Sequence, residues 1–209
     1  MAAGQCVTVV VVKPGQLNYH ARMRRLSILA AVAALALSSL AGAGLAPLPK
    51  LAEPVDLDQY AGDWFVHGAI PLRIPFFSDA EARNYTEHYE RVAPDVIRMT
   101  SSFATPGAKR RSFSFKGNVV DQVHNATWSI GIVWPLRAEY SIIYLDDAYN
   151  TTVVASPNRK YAWIMSREQQ MGDVQYAGML DFMAAAGFDP QAFRKVPHDN
   201  KDQESLAAE

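Results

Sequence analysis

The stretch VDLDQYAGDW, residues 55–64, opens the part of the chain that decides the fold. From Gly62 to Arg167 short segments alternate apolar and polar residues, and turn residues interrupt them about every 10–15 positions. This alternation predicts an all-β protein, either a sandwich or a barrel, without the crossover helices that a parallel sheet needs. The eight predicted strands are 63–71, 83–91, 96–103, 111–120, 126–134, 138–145, 150–155 and 160–167.

One helix is predicted after the strands, from Asp173 to Ala186, with Gly187 as its stop. Its apolar stripe should cover the outside of the barrel. The stripe is predicted to comprise Val174, Ala177, Leu180, Met183 and Ala184. The polar tail, residues 197–209, is expected to fray. An up-and-down barrel suits eight consecutive strands because it leaves no sheet edge, but alternation alone leaves the sandwich open.

The composition is that of an ordinary globular protein, with 49% hydrophobic and 20% charged residues. Residues 1–43 hold four basic residues and no acidic ones, which leaves 16 basic against 21 acidic residues and a net charge of about −5 for the rest. This balance predicts neither a nucleic-acid surface nor one for an anionic membrane, and KRR at 109–111 is interpreted as a solvated hairpin tip. Cys6 is the only cysteine, so no disulfide, thiolate metal site or cysteine nucleophile is expected in the mature protein.

The N-terminal region is interpreted as export and linker sequence. Residues 23–43 combine the charged MRR, an apolar run and a terminal A-x-A pattern, which together predict a signal peptide. Residues 1–22 are interpreted as a non-native extension upstream of the true start, and 44–53 as a linker before a single domain at 54–196. The alternative is an uncleaved anchor, because residues 26–46 are nearly long enough to span a bilayer.

Three motifs in order decide between barrel and sandwich. Residues 55–64 resemble the helical turn and Gly-x-Trp opening of lipocalins, particularly the bacterial group of outer-membrane lipoproteins. RKYAWIMSR at 159–167 resembles that group's eighth strand, and DDAY at 146–149 stands at the family's Asp-x-x-Tyr turn. Gly-x-Trp alone is weak evidence, whereas the ordered set is specific. The resemblance implies an eight-stranded antiparallel up-and-down β-barrel with one C-terminal α-helix packed outside.

The resemblance assigns structural roles to Gly62, Trp64 and Arg167. In the family the tryptophan plugs the closed end of the barrel and the arginine stacks across its indole. A side chain at Gly62 would obstruct the turn that enters the barrel. The sequence departs from the family in WFVHG at 64–68, where many relatives have Trp-Tyr-x-Ile-Ala, and it lacks the cysteines that cross-link relatives. The fold should tolerate these changes, but they leave the ligand open.

Side chains in a barrel wall alternate inward and outward, so one residue of known direction sets its strand. If Trp64 points inward, Val66 and Gly68 do so too, and the family pattern sets the other strands. The predicted ligand-binding residues are Val66, Tyr85, Glu87, Tyr89, Ile97, Met99, Ser101, Phe115, Trp128, Ile130, Ile132, Tyr140, Ile142 and Trp163, and Val153 and Tyr161 are also predicted to face inward. This lining suits an apolar tail with a polar head. The alternative is that the same large side chains fill the barrel.

The resemblance implies binding and transport or storage of a fatty acid or lysophospholipid-like ligand in the periplasm or outside the cell, with association with the outer membrane left open. No enzymatic activity, cofactor or metal is expected. The alternatives are a lipid- or pigment-modifying barrel enzyme that uses Glu87, and a filled barrel that acts through surface contacts with a partner.

Glu87 is the one carboxylate predicted to face inward, with no second carboxylate or histidine on its face, so it is interpreted as a head-group contact or a partner of Tyr140. His67, His88 and His124 are predicted to face outward or to lie in turns, without metal-site spacing.

The loop after the first predicted strand is apolar. Ile74, Phe76 and Phe77 are predicted either to form an exposed lid or membrane-contacting patch, or to fold into the mouth of the barrel.

Overall fold

A computed structural model describes residues 45–74, 77–107 and 110–199. The predicted extension, the predicted signal peptide and the end of the tail from residue 200 lie outside these ranges. The elements are α1 (Leu57–Tyr60), β1 (Gly62–Ile70), β2 (Arg73–Ile74), β3 (Phe77–Ser78), β4 (Arg83–Ala93), β5 (Val96–Ala104), β6 (Arg111–Val119), β7 (Thr127–Val133), β8 (Leu136–Leu145), β9 (Thr151–Ala155), β10 (Ala162–Ser166), α2 (Asp173–Ala185), a 3-10 helix (Pro190–Ala192) and β11 (Arg194–Lys195).

Eight of these strands form a closed antiparallel barrel. Each of β4 to β9 pairs with the next strand in the chain, β1 pairs with β4, and β10 pairs back onto β1. The predicted eight-stranded up-and-down barrel with one C-terminal helix is therefore confirmed. The short β2–β3 hairpin and β11 are additions that the alternation pattern did not predict.

The barrel has two distinct ends. At the closed end β1 begins and β10 ends. At the opposite, open end four connections and the strand residues next to them make up a rim. This rim comprises segments 71–82, 105–111, 134–137 and 156–161.

A bulge in β1 reverses the direction of one predicted residue. The register with β10 shifts between Val66 and Gly68. A Cβ built on Gly68 would lie 2.6 Å from the hydroxyl oxygen of Tyr176 in α2, so this face points outward to the helix. The prediction that Gly68 faces the interior is therefore wrong, because one extra residue flips every later position on a strand.

A second bulge, in β8 between Ile142 and Tyr144, accompanies a similar reversal in β9. Val153 lies in the cluster beneath α2, and Val154 lies in the interior cluster. The prediction that Val153 faces inward is wrong, because Val154 pairs with the inward-facing Ile142 and Trp163, and alternation along β9 then turns Val153 outward.

Helix α2 packs on the outer wall through a stripe that differs from the predicted one. Tyr176 and Met183 are buried against β9 and β10, and Met179 and Leu180 lie beside them. Of the predicted stripe, Leu180 and Met183 belong to the packed face, whereas Val174 is 90% exposed, and Ala177 and Ala184 are also exposed. The spacing i, i+3, i+4, i+7 from Tyr176 defines the true stripe.

The chain after β11 fills a gap between β1 and β4. Their pairing ends at Phe65 and Thr86, which leaves backbone groups beyond it unpaired. The amide of Val196 donates to the carbonyl of His67 at 2.8 Å, and the amide of Asn84 donates to that of Pro197 at 2.9 Å. The prediction that the tail frays is therefore wrong for residues 197–199.

Within the described part of the chain, no helix is both long and apolar enough to span a bilayer.

Candidate functional site

The closed end is built around the indole of Trp64 and the guanidinium of Arg167. The guanidinium carbon lies 3.8 Å from the centre of the tryptophan ring, a distance suited to cation–π attraction. The same guanidinium donates to the carbonyls of Asp63 at 2.7 Å and Tyr60 at 3.0 Å. The structure thus brings together the first and last barrel strands and α1.

Gly62 makes this arrangement possible through its backbone. Its φ of +96° lies in the left-handed region, and a Cβ there would sit 3.4 Å from the arginine Nη1. The DDAY turn approaches the same guanidinium, because the carbonyl of Tyr149 accepts a bond from Nε of Arg167 at 3.2 Å.

The predicted lining residues lie in the interior cluster, except for Gly68 and Val153. Its buried apolar members include Val66, Tyr85, Tyr89, Ile97, Met99, Trp128, Ile130, Tyr140, Ile142 and Trp163. Phe115, Ile132 and Tyr161 pack against that cluster and are half-buried, and Glu87 and Ser101 are buried polar residues. The prediction that these residues contact a ligand remains a prediction.

Aromatic rings fill the half of the barrel next to the closed end. Tyr60 lies 5.0 Å from Trp64 and 5.7 Å from Trp128 between ring centres. Trp128 stacks on Tyr140 at 5.3 Å, and the hydroxyls of Tyr140 and Tyr89 are hydrogen-bonded. Tyr60 belongs to α1, outside the strand pattern from which the lining was predicted.

A polar cluster lies inside the barrel around Glu87 on β4. The hydroxyl of Tyr85 donates to its carboxylate at 2.7 Å, and the hydroxyl of Ser101 donates to the same group at 2.8 Å. Burial raises the pKa of Glu87 to about 7, against the lowering effect of these two hydrogen bonds. The predicted partnership with Tyr140 is not among the described hydrogen bonds of the glutamate, which instead go to Tyr85 and Ser101.

Asp79 is a second buried carboxylate that sequence reasoning missed. It lies between β3 and β4, is fully buried, and accepts a bond from the indole Nε1 of Trp163 at 2.9 Å. Its Oδ1 atom has no hydrogen-bond partner among the described residues. Burial raises the pKa of Asp79 to about 6, and its charge contributes to the raised pKa of Glu87. Asp79 is not on the strand face of Glu87, where no second carboxylate was predicted, but comes from the segment between β3 and β4.

Phe77 closes the mouth of the barrel. It is buried, and its ring packs edge-on against Phe103 at 5.6 Å, Phe113 at 5.0 Å and Phe115 at 5.9 Å. The predicted exposed patch is therefore wrong for Phe77, which folds into the mouth. The side chain of Ile74 and all of Phe76 lie outside the described residues.

A gap opens in the barrel wall beside this lid. The ladder between β6 and β7 covers only the pairs from Val119 with Trp128 to Gly117 with Ile130. Beyond it the inward-facing Phe113 and Phe115 on β6 and Ile132 on β7 are half-buried. Apolar side chains are thus accessible between two separating strands near the rim.

The predicted histidines do not form a metal site. His67 is outward-facing on β1 but buried under the C-terminal segment, where its Nε2 lies 2.8 Å from the Ser166 hydroxyl. Burial lowers its pKa to about 4. His88 pairs with Asp63 at 2.7 Å on the surface. Over the described ranges, no group of three or more His, Cys, Asp or Glu side chains is placed to hold a metal ion.

The fold and interior define a class of protein: a small antiparallel barrel with an apolar interior, a plugged end and a mouth that leads to buried polar groups. A family model described as a lipocalin-like domain matches residues 55–198. The chain belongs to the lipocalin family, whose members generally bind small hydrophobic ligands and are typically not enzymes.

Named relatives agree with this assignment. Temperature-induced lipocalin-1 of Arabidopsis thaliana is 30% identical over 74 residues, which is 35% of this chain and 40% of the plant protein. The outer membrane lipoprotein Blc of Escherichia coli K12 is 32% identical over 68 residues, 32% of this chain and 38% of Blc. The matched stretches thus span about two fifths of these relatives' lengths.

Solved structures share the fold. Apocrustacyanin C2 superposes with a TM-score of 0.55 at 15% identity over 76% of this chain and 94% of its own. Lobster apocrustacyanin A1 gives a TM-score of 0.55 at 14% identity over 79% of this chain and 98% of its own.

Proposed function

We propose that the protein binds one small amphiphile, of the fatty acid or lysophospholipid type, in the rim half of the barrel, and carries or stores it. One observation carries the proposal. A polar cluster that includes the buried carboxylate of Asp79, whose Oδ1 has no hydrogen-bond partner among the described residues, lies inside an otherwise apolar barrel beneath a phenylalanine lid. A buried acceptor without a partner is costly and indicates a place for a donor.

The head group is expected to bring hydrogen-bond donors. Both oxygens of Glu87 already accept bonds, whereas Oδ1 of Asp79 accepts none from the residues that the structure describes. The glycerol hydroxyl or the ammonium group of a lysophospholipid matches these acceptors. A fatty acid carboxylate matches them only when a proton is shared, so its affinity should fall as the pH rises through 6 to 7, where Asp79 and Glu87 lose their protons.

The tail is expected to replace the Phe77 ring and to extend into the gap between β6 and β7. The walls there are the aromatic and aliphatic side chains of Phe103, Phe113, Phe115 and Ile132. Burial of about ten methylenes contributes roughly 8 kcal/mol at about 0.8 kcal/mol each before ordering costs, enough for micromolar binding. Movement of the β2–β3 hairpin is the step that admits the ligand.

Export fits this function. The predicted signal peptide at 23–43 would send the carrier to the periplasm or out of the cell, where lipids need a soluble carrier. The relative Blc is by name an outer membrane lipoprotein. Membrane contact through Ile74 and Phe76 remains a prediction of the same kind.

Native mass spectrometry tests the proposal. Protein purified from envelope extracts without detergent is expected to carry one lipid per chain, and delipidated protein is expected to bind added lysophosphatidylethanolamine at one to one. Protein that carries nothing and binds neither lysophospholipid nor fatty acid would favour the filled barrel. A bound lipid that is hydrolysed or modified over time would instead favour an enzyme that uses Glu87 and Asp79.

A matched pair of variants locates the site. Ser101→Leu replaces a buried hydroxyl next to Glu87, and Thr100→Leu makes the same kind of change on the outer face of β5. The first is expected to weaken lysophospholipid binding at least tenfold, which corresponds to about 1.4 kcal/mol, and the second to leave it unchanged. Equal affinities in the two folded variants would contradict an interior site.

A further inference from the structure

The hairpin between β7 and β8 exposes large apolar side chains. Trp134 is 92% and Leu136 is 67% exposed, while the other three tryptophans of the chain are buried. A large aromatic ring in full contact with water costs free energy, so such a patch indicates a surface that something else covers. No ring contact or hydrogen bond of the indole of Trp134 is recorded among the described residues.

This hairpin tip stands on the open rim. Strand β7 runs from the closed end to the rim and β8 returns, so residues 134–137 belong to the same end of the barrel as the Phe77 lid. The half-buried Ile132, which borders the gap between β6 and β7, lies two residues before Trp134. The exposed side chains of Trp134 and Leu136 therefore stand next to the opening that the proposed function uses.

Charge is segregated between the two ends of the barrel. The rim segments hold six basic and two acidic described residues: Arg73, Arg110, Arg111, Arg137, Arg159 and Lys160 against Asp79 and Glu81. The closed-end segments 53–61, 94–95, 120–126, 146–150 and 167–172 hold eight acidic residues and one arginine: Glu53, Asp56, Asp58, Asp95, Asp121, Asp146, Asp147 and Glu168 against Arg167. The net charge of the whole chain conceals this separation.

Several of the rim cations are free to meet an external anion. Arg73, Arg111, Arg137 and Lys160 are exposed, and none of them takes part in an ion pair between described residues. Arg137 is held on the wall by the Ser129 hydroxyl at 2.6 Å, next to the exposed tip. Of the two acidic residues in the described rim segments, Asp79 is buried under the lid. Glu81 is therefore the one exposed acidic residue of these segments.

We infer that the open rim docks on an anionic phospholipid surface, with Trp134 and Leu136 inserted at the level of the head groups and the rim cations facing lipid phosphates. Tryptophan favours the membrane interface because its ring is apolar and its N–H polar. Each basic residue near an anionic bilayer contributes about a fivefold gain in binding, whereas the acidic end is repelled from it. The net charge of the chain alone predicts no surface that binds an anionic membrane. The proposal assigns such a surface to one end of the barrel, the basic rim.

The described chain begins beside the same rim. The guanidinium of Arg159, in the β9–β10 turn, donates to the carbonyl of Ala46 at 2.6 Å.

Tryptophan fluorescence with vesicles tests this surface. The full mature chain is mixed with vesicles of pure phosphatidylcholine or of phosphatidylcholine with about one third phosphatidylglycerol. Because Trp134 is the one exposed tryptophan of the described chain, a blue shift of emission and protection from acrylamide on anionic vesicles would report its insertion. Binding is expected to weaken as salt rises.

Variants separate this surface from general stickiness. The double change Trp134→Ala with Leu136→Ala is expected to reduce sedimentation with anionic vesicles about tenfold or more. The reason is that the variant loses two large apolar side chains that the membrane would bury. The control is Val120→Ala with Val123→Ala, which removes exposed apolar side chains at the acidic end and should bind like the wild type.

Three results would overturn the inference. The first is that the wild type does not bind anionic vesicles. The second is that the two double variants lose vesicle binding equally. The third is that the protein forms a dimer in solution, so that acrylamide quenching falls with protein concentration in the absence of vesicle binding. The inference goes beyond the proposed ligand binding and can fail alone. Lysophospholipid binding by the tip variant in vesicle-free solution reports the interior site separately.

Discussion

Replacement of Glu87 by glutamine should stabilise the protein at alkaline pH and remove much of the pH dependence of its stability. Burial raises the pKa of the folded-state carboxyl to about 7, whereas the same group in the unfolded chain titrates near 4.5. A group whose folded pKa is raised contributes stability that is fully present below the unfolded pKa. That stability is lost as the pH rises through about 7.

The magnitude follows from the size of the pKa difference. Each pKa unit corresponds to about 1.4 kcal/mol, so the rise from 4.5 to about 7 removes about 3 kcal/mol of unfolding free energy between those pH values. Glutamine stays neutral and can still accept bonds from Tyr85 and Ser101, as the protonated acid does. At pH 8 the variant is expected to exceed the wild type in stability by up to about 3 kcal/mol, and at pH 4.5 to match it.

Urea unfolding followed by tryptophan fluorescence at pH 4.5, 6, 7 and 8 measures this difference. Glu139→Gln is the matched control, because it removes the same charge from an exposed position. Ionisable groups that do not interact with Glu87 are the same in both proteins, so their contributions cancel in the comparison. A difference between Glu87→Gln and the wild type that stays constant from pH 4.5 to 8 would refute the buried, raised-pKa carboxyl.

Three further outcomes are expected in urea unfolding. Trp64→Ala should cost about 3–5 kcal/mol by opening a cavity at the closed end, and an unchanged midpoint would contradict the plug. Gly68→Ala should cost about 1–3 kcal/mol, because the new Cβ would lie 2.6 Å from the Tyr176 hydroxyl, and the cost should vanish in a Tyr176→Ala background; the same cost in both backgrounds would contradict the contact. Burial lowers the pKa of His67 from 6.5 to about 4, so stability is lost as the pH falls through that window, by up to about 3 kcal/mol, and His67→Gln should flatten this decline; an unchanged slope would contradict its burial.

Much of the fold follows from the sequence because apolar and polar residues alternate along each strand and turn residues separate the strands. The closed end was predictable as well, because the motifs that contain Gly62, Trp64 and Arg167 resemble those of lipocalins, in which the arginine stacks on the tryptophan. The structure brings the indole and the guanidinium into contact. Long-range parity fails where a bulge intervenes. Gly68 follows such an irregularity on β1, and no feature of one sequence marks the extra residue.

The candidate site was predictable only in part, for a similar reason. Glu87 is on a regular strand, so parity places it among inward residues, but Asp79 is on a loop to which parity does not apply. The proline- and phenylalanine-rich sequence before it carries the only signal, an apolar loop able to fold into the mouth. His198 and Asp199 look like tail residues, but the ring of His198 pairs with the carbonyl of Val66 on β1, and the amide of Asp199 donates to the side-chain Oδ1 of Asn84 on β4.

Photo-crosslinking tests the central claim, which is that an amphiphile lies inside the barrel with its head group at the two buried carboxylates. A lysophospholipid with a diazirine beside its glycerol is bound to the delipidated protein, irradiated, and its attachment sites are mapped by tandem mass spectrometry. Labels are expected between residues 77 and 89, at Asp79 or Glu87. Labels on α2, or in the outer cleft that residues 47–51 form against β7 and β8, would contradict it.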